Sequence, residues 1–276
     1  MYTKFYNLKE KPFNVTSDPS FFFFSKKHKD ALASLIYGIN ERKGILCLTG
    51  EVGTGKTTIC KALLNQLDKS VRSAFILNPN FSDTQLIELI ISDFGITPSS
   101  KKKNKLSLIL DLNKFLLDAA GRGENAVLII DEAQNLRTKQ LEQIRLLSNL
   151  ETTKDKLLQI VLVGQPELKE KLKLIDLRQL AQRIMINYHM APLDKDEVKS
   201  YIYHRLQIAG CESSIDFADE ALKEIYDFSK GIPRLINIIC DLALLAGFVQ
   251  ETKIINAEII KHVQKEFKNE PYIRCS

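Results

Sequence analysis

The sequence predicts an α/β fold in which helices sandwich a parallel sheet, followed by a small all-helical domain. Three observations predict it. Short apolar runs alternate with amphipathic helical patterns up to about residue 190. The first run ends in a glycine-rich stretch, GEVGTGKTT at 50–58, that opens a helix. From Asp194 onward the strand runs stop, and four helical patterns follow in series.

Residues 1–25 are irregular and rich in aromatics, with Pro12 and Pro19, and read as an arm packing its rings on the core. The stretch 28–42 reads as a helix, because Leu32, Leu35, Ile36 and Ile39 recur at helical spacing. GILCLTG at 44–50 is a buried strand, and SAFILNP (73–79), NAVLIIDEA (125–133) and LLQIVLVGQ (157–165) are three more. Helical patterns at 57–67, 83–94, 106–120 and 139–150 lie between them, and RIMINYHM at 183–190 supplies a last strand. The basic stretch PSSKKKNK at 98–105 reads as a solvated loop, with an anionic contact as the alternative. Helices are then expected over 195–210, 216–229, 233–250 and 256–267, with Gly210 and Gly231 marking helix ends. The expected division is an arm at 1–25, an α/β core at 26–192, a helical domain at 193–270 and a tail at 271–276.

Composition bounds the class. The chain has 276 residues, 45% hydrophobic and 26% charged, enough for a large core and one or two domains. A net charge of +5 permits contact with nucleic acid or anionic lipid without requiring either. Five cysteines with no CxxC pair argue against a disulfide framework or zinc site and favour a reducing cytosol. No secretory signal is expected, and the run Phe21–Phe24 is far short of the ~20 apolar residues a bilayer span needs. The expectation is a cytoplasmic protein with no intrinsic membrane span, reaching the inner membrane only peripherally or through a partner.

The stretch at 50–58 fits G-x-x-x-x-G-K-[ST] in the required setting, after a strand and before a helix. Gly50, Gly53 and Gly55 let the backbone curl so that the N–H groups of Glu51, Val52, Thr54 and their neighbours turn inward on phosphate oxygens. The helix that starts there adds its positive end, through Lys56, Thr57 and Thr58. Lys56 is the cation for the β- and γ-phosphates of ATP, and the Thr57 hydroxyl suits Mg²⁺. VLIIDEAQ at 127–134 ends a strand in two carboxylates. Asp131 suits the magnesium ion, and Glu132 suits the orientation and deprotonation of a water. A small-molecule kinase shares the first motif but needs no such glutamate, and the serial helices do not suit it.

With these parts the chain resembles the AAA+ ATPases, P-loop NTPases whose α/β core is followed by a helical lid. The resemblance implies several roles. GIPRLIN at 231–237 looks like the sensor 2 motif, with Arg234 reading the γ-phosphate and Pro233 in the helix's first turn. Gln165 occupies the sensor 1 position, although asparagine, serine or threonine is commoner there. An arginine finger acting on a neighbour's ATP precedes the last core strand, where Arg178 and Arg183 both fit. Arg183 is preferred as the nearer to the strand, and a surface salt bridge is the competing reading for each. Asn78 stands where some relatives keep a polar switch for the catalytic glutamate.

Within AAA+, KPFNVTSDPSFFFFSKKHKDALASLIYGI, LTGEVGTGKTT, IDEAQNL and GQPEL together resemble the ExeA/GspA family, ATPases of the bacterial general secretion pathway. The type IV pilus ATPase MshM and exosortase-associated ATPases are similar. The resemblance implies that Phe21–Phe24 pack near the adenine, with His28 close by; simple core burial is the compatible alternative. Long members continue into a transmembrane helix and a peptidoglycan-binding domain, whereas this sequence ends at NEPYIRCS, as a short member or a truncated one would. The implied function is a Mg²⁺-dependent ATPase, acting as a homo-oligomer, that drives assembly or remodelling of an envelope secretion or pilus machine. The alternative is a DNA-associated ATPase of the TniB/MuB kind, with non-specific DNA as partner; no sequence-reading module is evident. A third reading, a switch that binds ATP without turnover, leaves Glu132 unused.

Overall fold

The five apolar runs all enter one sheet. In the computed structural model, which describes residues 1–14, 19–99, 104–153, 155–211 and 215–269, the chain runs α1 (Tyr2–Phe5), α2 (Lys26–Asn40), β1 (Ile45–Gly50), α3 (Lys56–Gln66), β2 (Val71–Ile76), α4 (Asp83–Asp93), α5 (Lys105–Gly121), β3 (Asn125–Ile130) and α6 (Thr138–Leu147). It continues through β4 (Gln159–Gly164), α7 (Pro166–Leu172), α8 (Arg178–Ala181), β5 (Ile184–Met190), α9 (Lys195–Ile208), β6 (Asp216–Phe217), α10 (Asp219–Ser229), α11 (Pro233–Val249), β7 (Ile254–Ile255) and α12 (Ala257–Asn269).

The sheet order is β2–β3–β4–β1–β5, and every adjacent pair is parallel. Parallel neighbours need crossovers, and the helices between strands supply them. The three inner strands β1, β3 and β4 are buried at all six positions, which is why they read as unbroken apolar runs. The edge strand β5 alternates exposed and covered residues, as a strand with one open face should. Because β3, β4 and β1 are consecutive in the sheet, their carboxyl ends bring the segments after Ile130, Gly164 and Gly50 to one edge.

The chain divides into two compact units. The α/β unit is Lys26–Glu51 with Lys56–Met190, and its core joins residues such as Ile87, Leu112, Leu128 and Ile160. The helical unit is Met1–Ser25, Val52–Gly55 and Ala191–Ser276. Its core joins Tyr6, Phe13, Ile202, Ile236, Leu244 and Ile260.

Three expectations are corrected. The arm, expected on the α/β core, groups with the helical unit, where Tyr2, Tyr6, Phe13 and Phe21 belong to the buried core. Its large rings share a buried core there with Ile202, Ile236 and Leu244, and Arg205 ties its backbone down at the Pro12 and Asn14 carbonyls. The α/β unit ends at Met190, two residues earlier than the expected 192, and the loop tip Val52–Gly55 groups with the helical unit. Strands also do not stop after residue 194: β6 and β7 pair in parallel, each too short to show a period of two. Residues 100–103 of the basic stretch and the tail 271–276 lie outside the described residues. No helix among the described residues is long and apolar enough to cross a membrane.

Candidate active site

Between β1 and α3 the backbone turns within five residues. Gly53 and Gly55 adopt φ of +83° and +94°, a region closed to most side chains, so glycine is required at both. Thr54 is buried, while Glu51 and Val52 are exposed. The turn feeds directly into α3, so the first helical N–H groups at Lys56, Thr57 and Thr58 face out of its end. Lys56 is only 6% exposed, and its Nζ donates to the carbonyls of Gly50 (2.7 Å) and Glu51 (2.8 Å). Burial pulls its pKa below the ordinary lysine value, against the charges of Glu132, Asp131 and Glu51, which favour the ammonium form.

The Thr57 hydroxyl donates to Asp131 Oδ2 at 2.5 Å, and the Glu132 N–H donates to Asp131 Oδ1 at 2.9 Å. Asp131 is 1% exposed, and this burial raises its carboxyl above the usual carboxylate range, although both hydrogen bonds oppose the rise. A buried carboxylate beside a hydroxyl, both oxygen donors, is the chemistry a hard divalent cation requires. The residues therefore fit Mg²⁺.

Glu132 has φ +52° and ψ +38°, a left-handed conformation costing about 1 kcal/mol or more for a non-glycine residue. It turns the chain sharply off the end of β3. Its Oε2 accepts from Gln165 Nε2 at 3.0 Å and from Gln134 Nε2. Gln134 is also bound through its other end, because its Oε1 accepts the Gln165 N–H at 3.1 Å. Gln134 was not singled out from the sequence; its only signal is its place two residues beyond Glu132 in IDEAQNL. Asn78 does not reach Glu132. Its Oδ1 accepts from Asn135 Nδ2 at 3.3 Å.

The arginines have three different settings. Arg234 is exposed in the first turn of α11, and its N–H donates to the Gly53 carbonyl at 3.3 Å within the helical unit. A Cβ on Gly53 would lie 2.5 Å from Arg234 Cβ, so the missing side chain allows this approach. Arg183 is half-buried, donating to Ser148 Oγ at 3.3 Å and to Asn149 Oδ1. Arg178 is exposed at the start of α8. The phenylalanine run belongs to the helical unit: Phe21 is buried under the Arg205 guanidinium at 4.9 Å, and Phe23 packs against Tyr201 and His204. His28 is buried on α2.

Comparison with known proteins agrees with this architecture. Residues 39–172 match the AAA domain family. Over 94% of its length the chain is 46% identical to General secretion pathway protein A of Aeromonas hydrophila, and it spans 47% of that relative. Among solved structures, Cdc6p of Pyrobaculum aerophilum superimposes with a TM-score of 0.70 at 19% identity, covering 90% of this chain and 70% of that one. The Aeropyrum pernix ORC2 protein, determined in ADPNP–ADP complexes, gives 0.62 at 16% identity, covering 86% and 66%. The RuvB branch migration motor of Thermotoga maritima gives 0.52 at 17%, covering 89% and 70%. At these identities the structural matches speak for the fold, an AAA+ type α/β unit with a helical companion.

Proposed function

We propose, on the premise that this chain is an AAA-domain relative of General secretion pathway protein A, that it hydrolyses ATP to ADP and phosphate. The observation that carries the reading is the Thr57–Asp131 hydrogen bond, which joins the phosphate-type loop to the acidic strand end beside Lys56. Loop N–H groups from Gly50 to Thr58 would cradle the phosphates, and Lys56 would exchange its two carbonyl partners for β- and γ-phosphate oxygens. Thr57 and Asp131 would hold Mg²⁺, which when bound neutralises charge on the phosphate oxygens. Glu132 would take the proton of the attacking water, with Gln165 orienting it. Arg234, already against Gly53, would meet the γ-phosphate, so Arg234→Ala should weaken ATP binding roughly tenfold and spare ADP.

Arg183 is proposed as the finger a neighbouring copy supplies, with Arg178 as the other candidate. Hydrolysis would drive assembly or remodelling of an envelope secretion machine; the similarity to General secretion pathway protein A supports this role. The likeness to origin-recognition and branch-migration proteins is one of fold and lends no support to a DNA role.

The test is turnover with purified variants. Glu132→Gln should retain ATP binding and lose about 10²–10⁴-fold in rate, because an amide cannot accept the proton. Wild-type turnover would place the base elsewhere. Mixing Glu132→Gln with Arg183→Ala should restore activity at hybrid interfaces, and no rescue at any ratio would remove the trans finger.

A further inference from the structure

Gln134 and Gln165 converge on one atom. Both side-chain amides donate to Glu132 Oε2, and the Gln165 backbone N–H donates to Gln134 Oε1. That last bond settles the amide's orientation. A backbone N–H can only donate, so the Gln134 atom it meets is the oxygen, and the atom facing Glu132 is the NH₂ group. The three residues form a closed triangle with no ambiguity of donor and acceptor.

The turn that carries Gln134 is itself clamped. Lys171 on α7 donates from Nζ to the Gln134 carbonyl (2.7 Å) and the Leu136 carbonyl (2.8 Å). Gly164, the last residue of β4, makes room for the side chain: a Cβ there would lie 2.9 Å from Gln134 Oε1 and 2.9 Å from Leu168. Backbone, turn and glycine thus all serve the position of one amide, which in turn serves one carboxylate oxygen.

We infer that Gln134 is a positioning residue for Glu132: with Gln165 it occupies the lone pairs of Oε2, fixes the carboxylate's rotation, and leaves Oε1 as the oxygen that receives the water's proton. Glu132 sits on a left-handed turn at the end of a strand, so its side chain has no helix or sheet face to hold it. Two donors on one oxygen supply what the backbone does not. A misplaced base loses rate without losing substrate, since a shift of about 1 Å in a reacting group costs on the order of 10²-fold. This inference rests on the reading of Glu132 as the base.

The experiment compares four variants in Mg²⁺–ATP turnover, with ATP affinity and thermal melting measured on each. Gln134→Met keeps the volume and removes both hydrogen bonds; kcat should fall about 10- to 100-fold with KM for ATP within about twofold. Gln134→Glu keeps shape and the acceptor but faces Glu132 with a second carboxylate, so it should be at least as damaging as Met. A purely packing role predicts the reverse, with both near-isosteric variants close to wild type. Gly164→Ala removes no polar group and should lower kcat by pushing Gln134 aside. Glu132→Gln is the control. If it retains turnover, the reading of the base fails. If it abolishes turnover while Gln134→Met and Gln134→Glu, both folded, run at the wild-type rate, the inference about Gln134 is overturned and the base survives.

Discussion

The two units build their interiors differently. The α/β unit is built around three inner strands, β1, β3 and β4, each buried along its whole length, with the partly exposed β2 and β5 at the sheet edges. The helical unit is assembled from three separated pieces of chain, with the arm at its centre. Arg205 shows how. Its side chain, 6% exposed, lies over the ring of Phe21 and donates from Nε to the Pro12 carbonyl (2.5 Å) and from Nη2 to the Asn14 carbonyl (3.1 Å). Tyr6 donates to the carbonyls of Leu244 or Thr252, each at 3.1 Å. The difference teaches that a strand buried on both faces announces itself by its own residues, wherever in the sheet it pairs. Where the core is discontinuous, specific polar anchors carry the register between distant segments.

Substitutions can break or sharpen that contrast. The largest effect is expected from Gly231→Ala. Gly231 has φ +77°, and a Cβ would stand 1.9 Å from the Leu193 carbonyl oxygen, a backbone atom that cannot step aside. A loss of about 4 kcal/mol or more is expected, and hydrogen exchange should show it in residues 191–269 rather than in the sheet. Equal loosening of β3 would mean the units do not open separately.

Leu128→Ala empties a fully buried position of β3 and should cost about 3 kcal/mol. Exchange should then rise across the sheet strands; protection lost first in α10–α12 would contradict the contrast. Arg205→Met keeps bulk against Phe21 and strands the Pro12 and Asn14 carbonyls, for about 2 kcal/mol. Its signature is specific: limited proteolysis should cut within residues 1–14 while β1–β5 stay intact. Resistance of the arm to cleavage would show that its aromatic rings alone hold it.

The smallest effect has the opposite sign. Lys230 ends α10 in the left-handed region at φ +49°, where a side chain is strained. Lys230→Gly should stabilise by about 0.5–1 kcal/mol, read as a higher denaturation midpoint with unchanged slope. A lower midpoint would mean the lysine side chain contributes more than its backbone costs.

Much of this protein was written locally. The apolar runs ending at Gly50, Ile130 and Gly164 were legible as strands because burial on both faces keeps them predominantly apolar. The turn glycines at 53 and 55 were legible because only glycine adopts their φ. The adjacency of Asp131 and Glu132 at a strand end, and Pro233 before Arg234 at a helix start, were equally plain. What the tertiary structure alone decided is what depends on atoms far apart in sequence. The order β2–β3–β4–β1–β5 sets Gln165 beside Glu132, although 33 residues separate them. The arm joins the helical unit through bonds such as Arg205 to the Pro12 carbonyl, and the Gln134 amide oxygen meets the Gln165 N–H only once the end of β4 lies beside the turn. Periodicity and backbone strain are properties of a few consecutive residues, so a sequence shows them. A hydrogen bond between side chains exists only after packing has fixed both ends, and its geometry belongs to the fold.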